Sequence, residues 1–188
     1  MLQVDFMPFS NLTTEHLVLR RPDIRDAKNM FALRTDKNVN KYLDRPLPDS
    51  IEEVALFIDK LNKGIDENTA LYWIITLKDT TELIGTICYW NISKENHTAE
   101  TGFELIPAFQ GKGIMREALS KVIEFGFNTL HFHSITAWTH KDNYPSQKLL
   151  ETNHFIRDTD LEAENEGNEE LADTVIYSLA NTAYVNKQ

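Results

Sequence analysis

The sequence predicts an α/β fold in which a mixed β-sheet of about seven strands carries helices on both faces. Three observations support this prediction. The chain has 188 residues, 41% of them hydrophobic, which suits a single domain over residues 1–188 with a full core. Segments with alternating apolar residues are interspersed with segments of helical periodicity. Their order is strand, two helices, three antiparallel strands, helix, strand, helix and two strands, which gives a mixed sheet.

The first strand and the two helices after it are marked by periodicity and by start signals. Residues 16–21 alternate leucines with polar neighbours, which is typical of a half-buried strand. Pro22 and Asp23 then open a helix. Ser50 and Glu53 have the spacing of a capping box, so they predict the start of a second helix.

Three strands follow the second helix. The segments 71–77 and 82–91 are rich in Ile, Tyr, Trp and Thr and flank a polar turn, so they predict an antiparallel hairpin. A third strand is predicted at 99–106. The only cysteine, Cys88, lies in the hairpin, so no disulfide can form within the chain, and we interpret it as a buried structural thiol.

The last third of the chain alternates helices and strands. A broad apolar stripe predicts a helix over residues 114–126, and alternation predicts a strand at 134–139. A short helix starts at Pro145, and we expect Asn153 to end it in the left-handed conformation. The acidic connection 160–170 has no periodicity, so we expect a solvated and partly mobile loop. Two closing strands are predicted on either side of it, at 155–158 and 174–179.

Composition limits the classes of partner and the location. The formal net charge of −10 disfavours nucleic acid and anionic membranes as partners and is compatible with a cationic substrate. The amino terminus has no signal-peptide pattern, and no apolar run approaches the roughly 20 residues that span a bilayer. We therefore expect a cytoplasmic protein. The sequence leaves the oligomeric state open between a monomer and a homodimer.

The turn Gln110-Gly111-Lys112-Gly113 is the strongest candidate for a ligand site, because it joins a predicted strand to a predicted helix. The first N–H groups of a helix have no partner within it and lie at the positive end of its dipole, so they bind anions. Glycines at 111 and 113 let the backbone approach a phosphate, and Lys112 adds a mobile charge. An ordinary strand-to-helix turn would also use these residues.

Two nucleotide-binding motifs are excluded by position. A Walker loop would need glycine at Ile106 and Ser or Thr at Gly113. A dinucleotide fingerprint would need a third glycine at Arg116 and an acidic residue about twenty positions later, where the chain has residues 131–133, His-Phe-His. The expected ligand is therefore a different phosphate compound.

Two segments of the chain resemble motifs of the GNAT N-acetyltransferases. The stretch 102–118 resembles the acetyl-CoA-binding motif, whose general form is Gln or Arg, two residues, Gly, one residue, and Gly or Ala. Residues 143–155, with Asn-Tyr-Pro-Ser at the start and Asn-His-Phe at the end, resemble the second motif. With the segments 14–20 and 173–179, the chain is most similar to the branch that holds the RimJ and RimL ribosomal-protein N-terminal acetyltransferases. The resemblance covers nearly the whole chain.

The resemblance implies the GNAT acyl-CoA N-acyltransferase fold and acetyl-CoA as co-substrate. Backbone N–H groups of the glycine turn would hold the pyrophosphate. The pantetheine arm would lie in a gap between the strands 103–106 and 134–139, bonding like an added strand. The residues implied in binding the co-substrate are Phe103, Glu104, Leu105, Ile106, Gln110, Gly111, Lys112, Gly113, Ile114, Met115, Asn143 and Ser146.

The chain departs from the family motifs at two positions. Met115 stands where the first motif has Gly or Ala, but only its backbone is required and its side chain can turn into the core. His154 replaces the glycine before Phe155 in the second motif. We expect little functional effect, because Asn153 beside it can take the left-handed turn.

Acetyl transfer to an amine needs a neutral amine and a proton for the leaving thiolate. An α-amine has a pKa around 8 and a lysine around 10.4, so the chemistry favours an α-amine as acceptor. The resemblance implies Ser146 as the proton donor, although a serine here could instead cap its helix. Tyr144 is the alternative donor or a packing residue.

Two carboxylates are candidates for the base that removes the proton of the amine. Glu104 and Glu100 lie two residues either side of Gly102, and such residues share one face of a strand. Either side chain could face the reacting groups, directly or through a water. Either could also be a solvated or salt-bridged strand residue.

Together these features predict an N-acetyltransferase that works by direct attack in a ternary complex of enzyme, acetyl-CoA and amine. The expected acceptor is a protein amino terminus. A small-molecule amine, such as a polyamine or an amino acid, and a non-catalytic CoA-binding module are the alternatives. We expect no metal, because His131, His133 and His140 have no accompanying cysteine or carboxylate ligand pattern.

Overall fold

The computed structural model describes residues 6–165 and 167–185, and within these ranges its strands form one eight-stranded mixed sheet. The strand order is β1-β2-β3-β4-β5-β6-β8-β7, and all neighbours are antiparallel except β5 and β6. The strands are β1 Leu12–Thr13, β2 Leu17–Arg20, β3 Leu71–Leu77, β4 Gly85–Ser93, β5 Thr98–Leu105, β6 Ser134–His140, β7 Ile156–Arg157 and β8 Thr174–Ala180.

The predicted fold class is confirmed, with one strand more than the sequence indicated. The extra strand is β1, which has only two residues and is too short for an alternating pattern to reveal it. The helices are α1 Ala27–Thr35, α2 Ile51–Asp66, α3 Ile114–Asn128, α4 Tyr144–Thr152, α5 Thr159–Glu164 and α6 Thr182–Val185.

The helices cover both faces of the sheet, as predicted. Helices α1 and α2 pack on one face around Met30, Ile58 and Ile74. Helix α3 packs on the other face in the larger core, which also contains Trp73 and Leu150 of α4. Strand β3 contributes to both cores, because its successive side chains alternate between the two faces.

The predicted helix starts are also confirmed, with small differences in the caps. Asp23 accepts a hydrogen bond from the Arg25 N–H at 2.9 Å and caps a short 3-10 helix that leads into α1. Ser50 caps α2 by accepting from the Glu53 N–H at 3.2 Å. The Glu53 carboxylate accepts from the N–H of Asp49, one residue before the cap, so the predicted capping box is only half formed.

The expectation of an irregular loop over 160–170 is wrong in its first half, where α5 lies. Asp158 caps this helix by accepting from the Leu161 N–H at 3.0 Å. The carboxylate of Glu162 pairs with Arg157 at 2.9 Å and accepts from the Ile176 N–H at 2.9 Å. These contacts tie a six-residue helix to β8, whereas a helix this short has no periodicity to detect. Glu166 lies outside the described residues.

The expected left-handed residue at the end of α4 is also wrong by one position. Asn153 has φ −96°, while His154 has φ 68°. The N–H of His154 bonds to the Glu151 carbonyl and that of Phe155 to the Leu150 carbonyl, at 2.9 and 3.1 Å, which is the Schellman arrangement. His154 therefore takes the conformation that glycine takes at lowest cost.

Asn153 keeps its ordinary backbone conformation because its side chain is engaged elsewhere. Its Oδ1 accepts from the Ser120 hydroxyl at 2.8 Å, and its Nδ2 donates to the Leu149 carbonyl at 2.8 Å. These bonds join the end of α4 to α3.

In the ranges that the structure describes, no helix combines the length and the apolar character needed to cross a bilayer. The cytoplasmic location, the single domain over 1–188 and the oligomeric state stay predictions.

Replacing His154 with glycine should stabilise the protein. Relief of the left-handed strain should stabilise the folded state by roughly 1–2 kcal/mol. The greater conformational freedom of glycine in the unfolded chain offsets part of this gain, so the free energy of unfolding should rise by about 1 kcal/mol. Urea unfolding measures this change. The matched variant Asn153→Gly should instead lose stability, because it removes the bonds to Ser120 and Leu149. A gain from Asn153→Gly and none from His154→Gly would contradict this assignment.

Candidate functional site

The candidate site lies where two neighbouring parallel strands stop pairing. β5 and β6 pair only from Thr98 opposite Ser134 to Glu100 opposite Thr136. β5 nevertheless continues to Leu105 and β6 to residue 140. The strands leave a gap that opens toward their carboxyl ends. The family resemblance implies a gap at the same place, between the strands 103–106 and 134–139.

The backbone of β5 presents hydrogen-bonding groups to this gap at alternate residues. The Ile106 N–H donates to the Ile84 carbonyl on the β4 side at 2.9 Å. Because successive backbone groups point to opposite edges of a strand, those of Phe103 and Leu105 point toward the gap. Four residues at the end of β5 and just after it are predicted to bind the co-substrate. The backbone groups of Phe103 and Leu105 have the required direction, while those of Glu104 and Ile106 face β4.

The glycine turn after β5 has the geometry of an anion-binding loop. Gly111 and Gly113 have φ 72° and 80°, and Gly113 is the N-cap of α3. The first α3 N–H with a helical partner is that of Glu117, which bonds to the Gly113 carbonyl at 3.0 Å. The N–H groups of Ile114, Met115 and residue 116 have no backbone partner in the described ranges.

Side chains around the loop support this arrangement. The Gln110 Nε2 donates to the Leu105 carbonyl at 2.9 Å and so ties the turn to the end of β5. Lys112 is exposed, and its Nζ lies 5.8 Å from the centre of the Phe109 ring. Met115 is 7% exposed and packs in the larger core, as expected for a residue that offers only its backbone to a ligand.

The start of α4 lies at the same edge of the sheet. Asn143 is its N-cap, and its Oδ1 accepts from the Ser146 N–H at 3.3 Å. The cap is therefore Asn143 and not Ser146. The half-buried Ser146 hydroxyl has no hydrogen-bond partner among the described residues, whereas Tyr144 is 69% exposed.

The two helix starts flank the gap for a topological reason. β5 and β6 are parallel, so their carboxyl ends meet at one edge of the sheet. α3 starts after β5 and α4 starts after β6, so both helix N-termini lie at this edge. Ligands of open α/β sheets bind at such positions, outside the carboxyl ends of the strands.

Glu100, Gly102 and Glu104 share the β5 face that α1 and α2 cover, as the sequence predicted. Their alternate neighbours, Ala99 and Leu105, belong to the core on the opposite face. Glu100 lies at the last β5–β6 pair, at the closed end of the gap, and Glu104 lies nearer the open end.

Glu100 is a buried carboxyl group with few partners. It is 9% exposed, and its Oε2 accepts from Asn91 Nδ2 at 3.0 Å. Burial raises the pKa of Glu100, and hydrogen bonds from Asn91 and Trp90 offset part of that increase. When it is ionised, a carboxylate in this environment binds a proton more tightly than an exposed carboxylate does, so it is the stronger base.

Glu104 is held in an ion pair instead. Its Oε1 accepts from Arg45 Nη1, and Arg45 Nε donates to Asn40 Oδ1 at 3.0 Å. Arg45 lies in the connection between α1 and α2. In the same connection, the Tyr42 ring lies 5.4 Å from the His140 ring at the end of β6. The connection therefore contacts the end of β5 and the end of β6, on the two sides of the gap.

No sequence pattern marks Asn40, Tyr42 or Arg45 as functional residues. They lie in a connection without motif or periodicity, and Arg45 meets a carboxylate 59 positions away in the chain. Only a contact prediction between distant residues could have found them.

Cys88 lies on the same face of the sheet, on β4. Its thiol donates to the Gly102 carbonyl at 3.4 Å, and burial raises its pKa to about 12. Such a thiol stays protonated and is a poor nucleophile, in agreement with the structural role predicted for it.

Comparison with known proteins gives a consistent picture. Residues 16–156 match the family model of the acetyltransferase (GNAT) domain. The uncharacterized N-acetyltransferase YoaA of Bacillus subtilis (strain 168) is 32% identical over 171 residues, which cover 91% of this chain and 97% of that protein.

Two further proteins relate the chain to enzymes that act on ribosomal proteins. The ribosomal protein uS5-alanine N-acetyltransferase of Escherichia coli (strain K12) is 27% identical over 152 residues, which cover 77% of each chain. The solved structure of RimL, a ribosomal L7/L12 alpha-N-protein acetyltransferase in complex with coenzyme A, has a TM-score of 0.77 at 20% identity. The match covers 93% of this chain and 99% of that one.

Replacing Glu100 with glutamine should stabilise the protein at alkaline pH. The folded state raises the pKa of this group, so it binds the proton more tightly than the unfolded chain, and stability is lost as pH rises through the folded pKa. Glutamine carries no charge to bury, so the variant should have the higher melting temperature at about pH 8, and the difference should shrink toward about pH 4. Thermal unfolding followed by circular dichroism at both pH values checks this. If the two proteins differed in melting temperature by the same amount at both pH values, burial of the charge would not be the cause of the difference.

Proposed function

The chain belongs to the GNAT acetyltransferase family, and from this premise we propose that it transfers the acetyl group of acetyl-CoA to the α-amine of a protein amino terminus. The observation that carries the proposal is the gap between β5 and β6, with a glycine turn and a capped helix start at its open end. N-acetyltransferase activity is common to the relatives, and the identity of the acceptor is the proposed part.

Acetyl-CoA fits the groups around the gap. GNAT acetyltransferases use this co-substrate, and RimL was solved in complex with coenzyme A. We assign the pyrophosphate to the N–H groups of residues 111–115, where Gly111, Lys112, Gly113, Ile114 and Met115 offer backbone donors at the positive end of α3. The amide groups of the pantetheine arm can bond to the backbone of Phe103 and Leu105, and Asn143 borders the same gap.

The reaction needs no covalent enzyme intermediate. The neutral amine attacks the thioester carbonyl, a C–N bond forms, and the C–S bond of the tetrahedral intermediate then breaks. The amine loses one proton and the leaving thiolate gains one. We assign the first transfer to a carboxylate of β5 and the second to Ser146, whose hydroxyl is free of the helix cap. Tyr144 is the alternative donor.

The surroundings favour Glu100 over Glu104 as the base, a choice that the sequence left open. Arg45 already occupies one oxygen of Glu104, so that oxygen is not free to contact the amine. Glu100 has no arginine partner in the described part of the chain, its pKa is raised, and it lies at the closed end of the gap. We assign Glu104 a positioning role through Arg45.

A protein amino terminus is favoured as acceptor for two reasons. An α-amine, with pKa near 8, is partly neutral at physiological pH, whereas a lysine with pKa around 10.4 is almost fully protonated. The relative from Escherichia coli, which aligns with 77% of this chain, acetylates an alanine of a ribosomal protein according to its name. A polyamine or a free amino acid is the alternative acceptor within the same reaction.

Acceptor class can be tested by following thiol release from acetyl-CoA. Peptides with amino-terminal alanine or serine should be acetylated, and kcat/KM should rise with pH as the α-amine loses its proton. Mass spectrometry should place the acetyl group on the α-nitrogen, and a peptide with a blocked amino terminus and a free lysine is the control. Turnover of spermidine or free amino acids, with none of any peptide, would contradict the proposed acceptor.

Three variants separate the catalytic assignments. Glu100→Gln should lower kcat by about 10²- to 10⁴-fold and remove the acidic limb of the pH–rate profile, because the base is lost. Ser146→Ala should lower kcat while the Kd for acetyl-CoA stays close to that of the wild type. Glu104→Gln should retain the acidic limb. The exposed Glu95→Gln is the matched control. An acidic limb that persists in Glu100→Gln would show that the base is another group.

A further inference from the structure

Two arginine side chains lie near one glutamate beside the gap, and only Arg45 pairs with it directly. Arg34 of α1 stacks on the ring of Phe57 in α2, with the guanidinium carbon 4.2 Å from the ring centre. No carboxylate in the described part of the chain lies within 4.0 Å of Arg34, and its guanidinium donates no hydrogen bond there. This cation–π contact holds the guanidinium over the ring and leaves its N–H groups available for a ligand.

Arg45 is the second of these arginines, and it also has a spare donor. Its Nη1 bonds to Glu104 and its Nε to Asn40, but its Nη2 is buried and has no hydrogen-bond partner among the residues that the structure describes. Within the same ranges, the second carboxylate oxygen of Glu104 is also buried without a partner. A buried donor without a partner costs free energy, which a hydrogen bond to a ligand oxygen or a water can recover.

The charges of this cluster do not cancel. Burial lowers the pKa of Arg34, the neighbouring Arg45 lowers it further, and Glu104 offsets part of this decrease. Glu53 contributes less, and its carboxylate accepts from the Asp49 N–H at 2.8 Å. Two guanidinium groups with one close carboxylate leave an excess of positive charge, in a protein whose formal net charge is −10.

We propose that Arg34, with Arg45 beside it, binds a carboxylate of the acceptor, so that the enzyme selects amines that carry a carboxylate close to the reacting nitrogen. This inference rests on the proposed acetyl transfer and specifies its substrate class. A planar guanidinium with a free edge binds a carboxylate through two parallel hydrogen bonds. Because Arg45 is paired with Glu104 of β5, the two arginines lie beside the strand that borders the gap.

The position of the cluster makes this role specific to the acceptor. Arg34 lies on α1 and Arg45 precedes α2, on the face of the sheet opposite α3. The phosphate loop lies at the start of α3, so the co-substrate already has its own anion site. The carboxylate can come from an acidic side chain near a peptide amino terminus or from a free amino acid.

A kinetic comparison distinguishes these sources. The acceptors are C-terminally amidated peptides that start with serine and differ only in Glu, Gln or Lys at the second position, together with free amino acids and their amides. For wild type, kcat/KM should be at least about tenfold higher for the Glu peptide than for the Gln peptide, or for an amino acid than for its amide. Equal values in both comparisons would overturn the proposal.

Variants locate the effect at Arg34. Arg34→Gln keeps an aliphatic stem over Phe57 but removes the charge, so the ratio of kcat/KM for acidic to neutral acceptors should fall to about one. Arg34→Lys should retain part of the ratio. The exposed Arg25→Gln, which removes the same charge elsewhere, should keep the full ratio. A full ratio in Arg34→Gln would overturn the assignment.

Binding measurements test the same point without turnover. Calorimetry with coenzyme A present should show acetyl-Ser-Glu-amide or free N-acetylglutamate binding at least about tenfold more tightly than the neutral Gln counterpart. Arg34→Gln should abolish this difference. Equal binding of acidic and neutral compounds to wild type would overturn the inference. Selective binding without acetylation of any amine would support the anion site and contradict the proposed acetyl transfer.

Discussion

The short parallel pairing between β5 and β6 is the constraint on which the rest of the site depends. Parallel strands end at the same edge of a sheet, so both following helices begin there. Each strand keeps its antiparallel partner on the outer side, β4 for one and β8 for the other. The inner edges are therefore held apart within a continuous sheet, and their unpaired backbone groups need a partner from water or from a strand-like ligand.

Local hydrogen bonds fix the elements at the mouth of this gap. Gln110 ties the glycine turn to the end of β5. Asn143 caps α4, so the Ser146 hydroxyl is not used as the helix cap. The connection between α1 and α2 closes the other side through Arg45 and Tyr42. The proposed catalytic groups thus lie on strands, helix starts and tethered segments, which hold reacting groups more accurately than free loops do.

Charge is distributed unevenly around the site. The chain as a whole is acidic, and from that excess the sequence suggested a cationic substrate. The structure brings Arg34 and Arg45 together near Glu104, and among the described residues it buries Glu100 without an arginine partner. A buried carboxyl group with a raised pKa costs stability when it ionises, and this cost is typical of residues kept for function. Local charge is therefore a better guide to the acceptor than net charge.

The sequence by itself determined the order of elements, the fold class, the glycine turn and the shared face of Glu100 and Glu104, because periodicity, turn chemistry and strand alternation act over a few neighbouring residues. It also predicted a left-handed residue near the end of α4, but at Asn153 and not at His154. The error arises because the conformational preference of asparagine takes no account of a side chain that is bonded to another helix. Only the tertiary structure decided α5, the partner of Glu104 and the arginine pair. These depend on contacts between distant parts of the chain, such as Arg45 with a carboxylate 59 positions later, and no local pattern encodes such contacts.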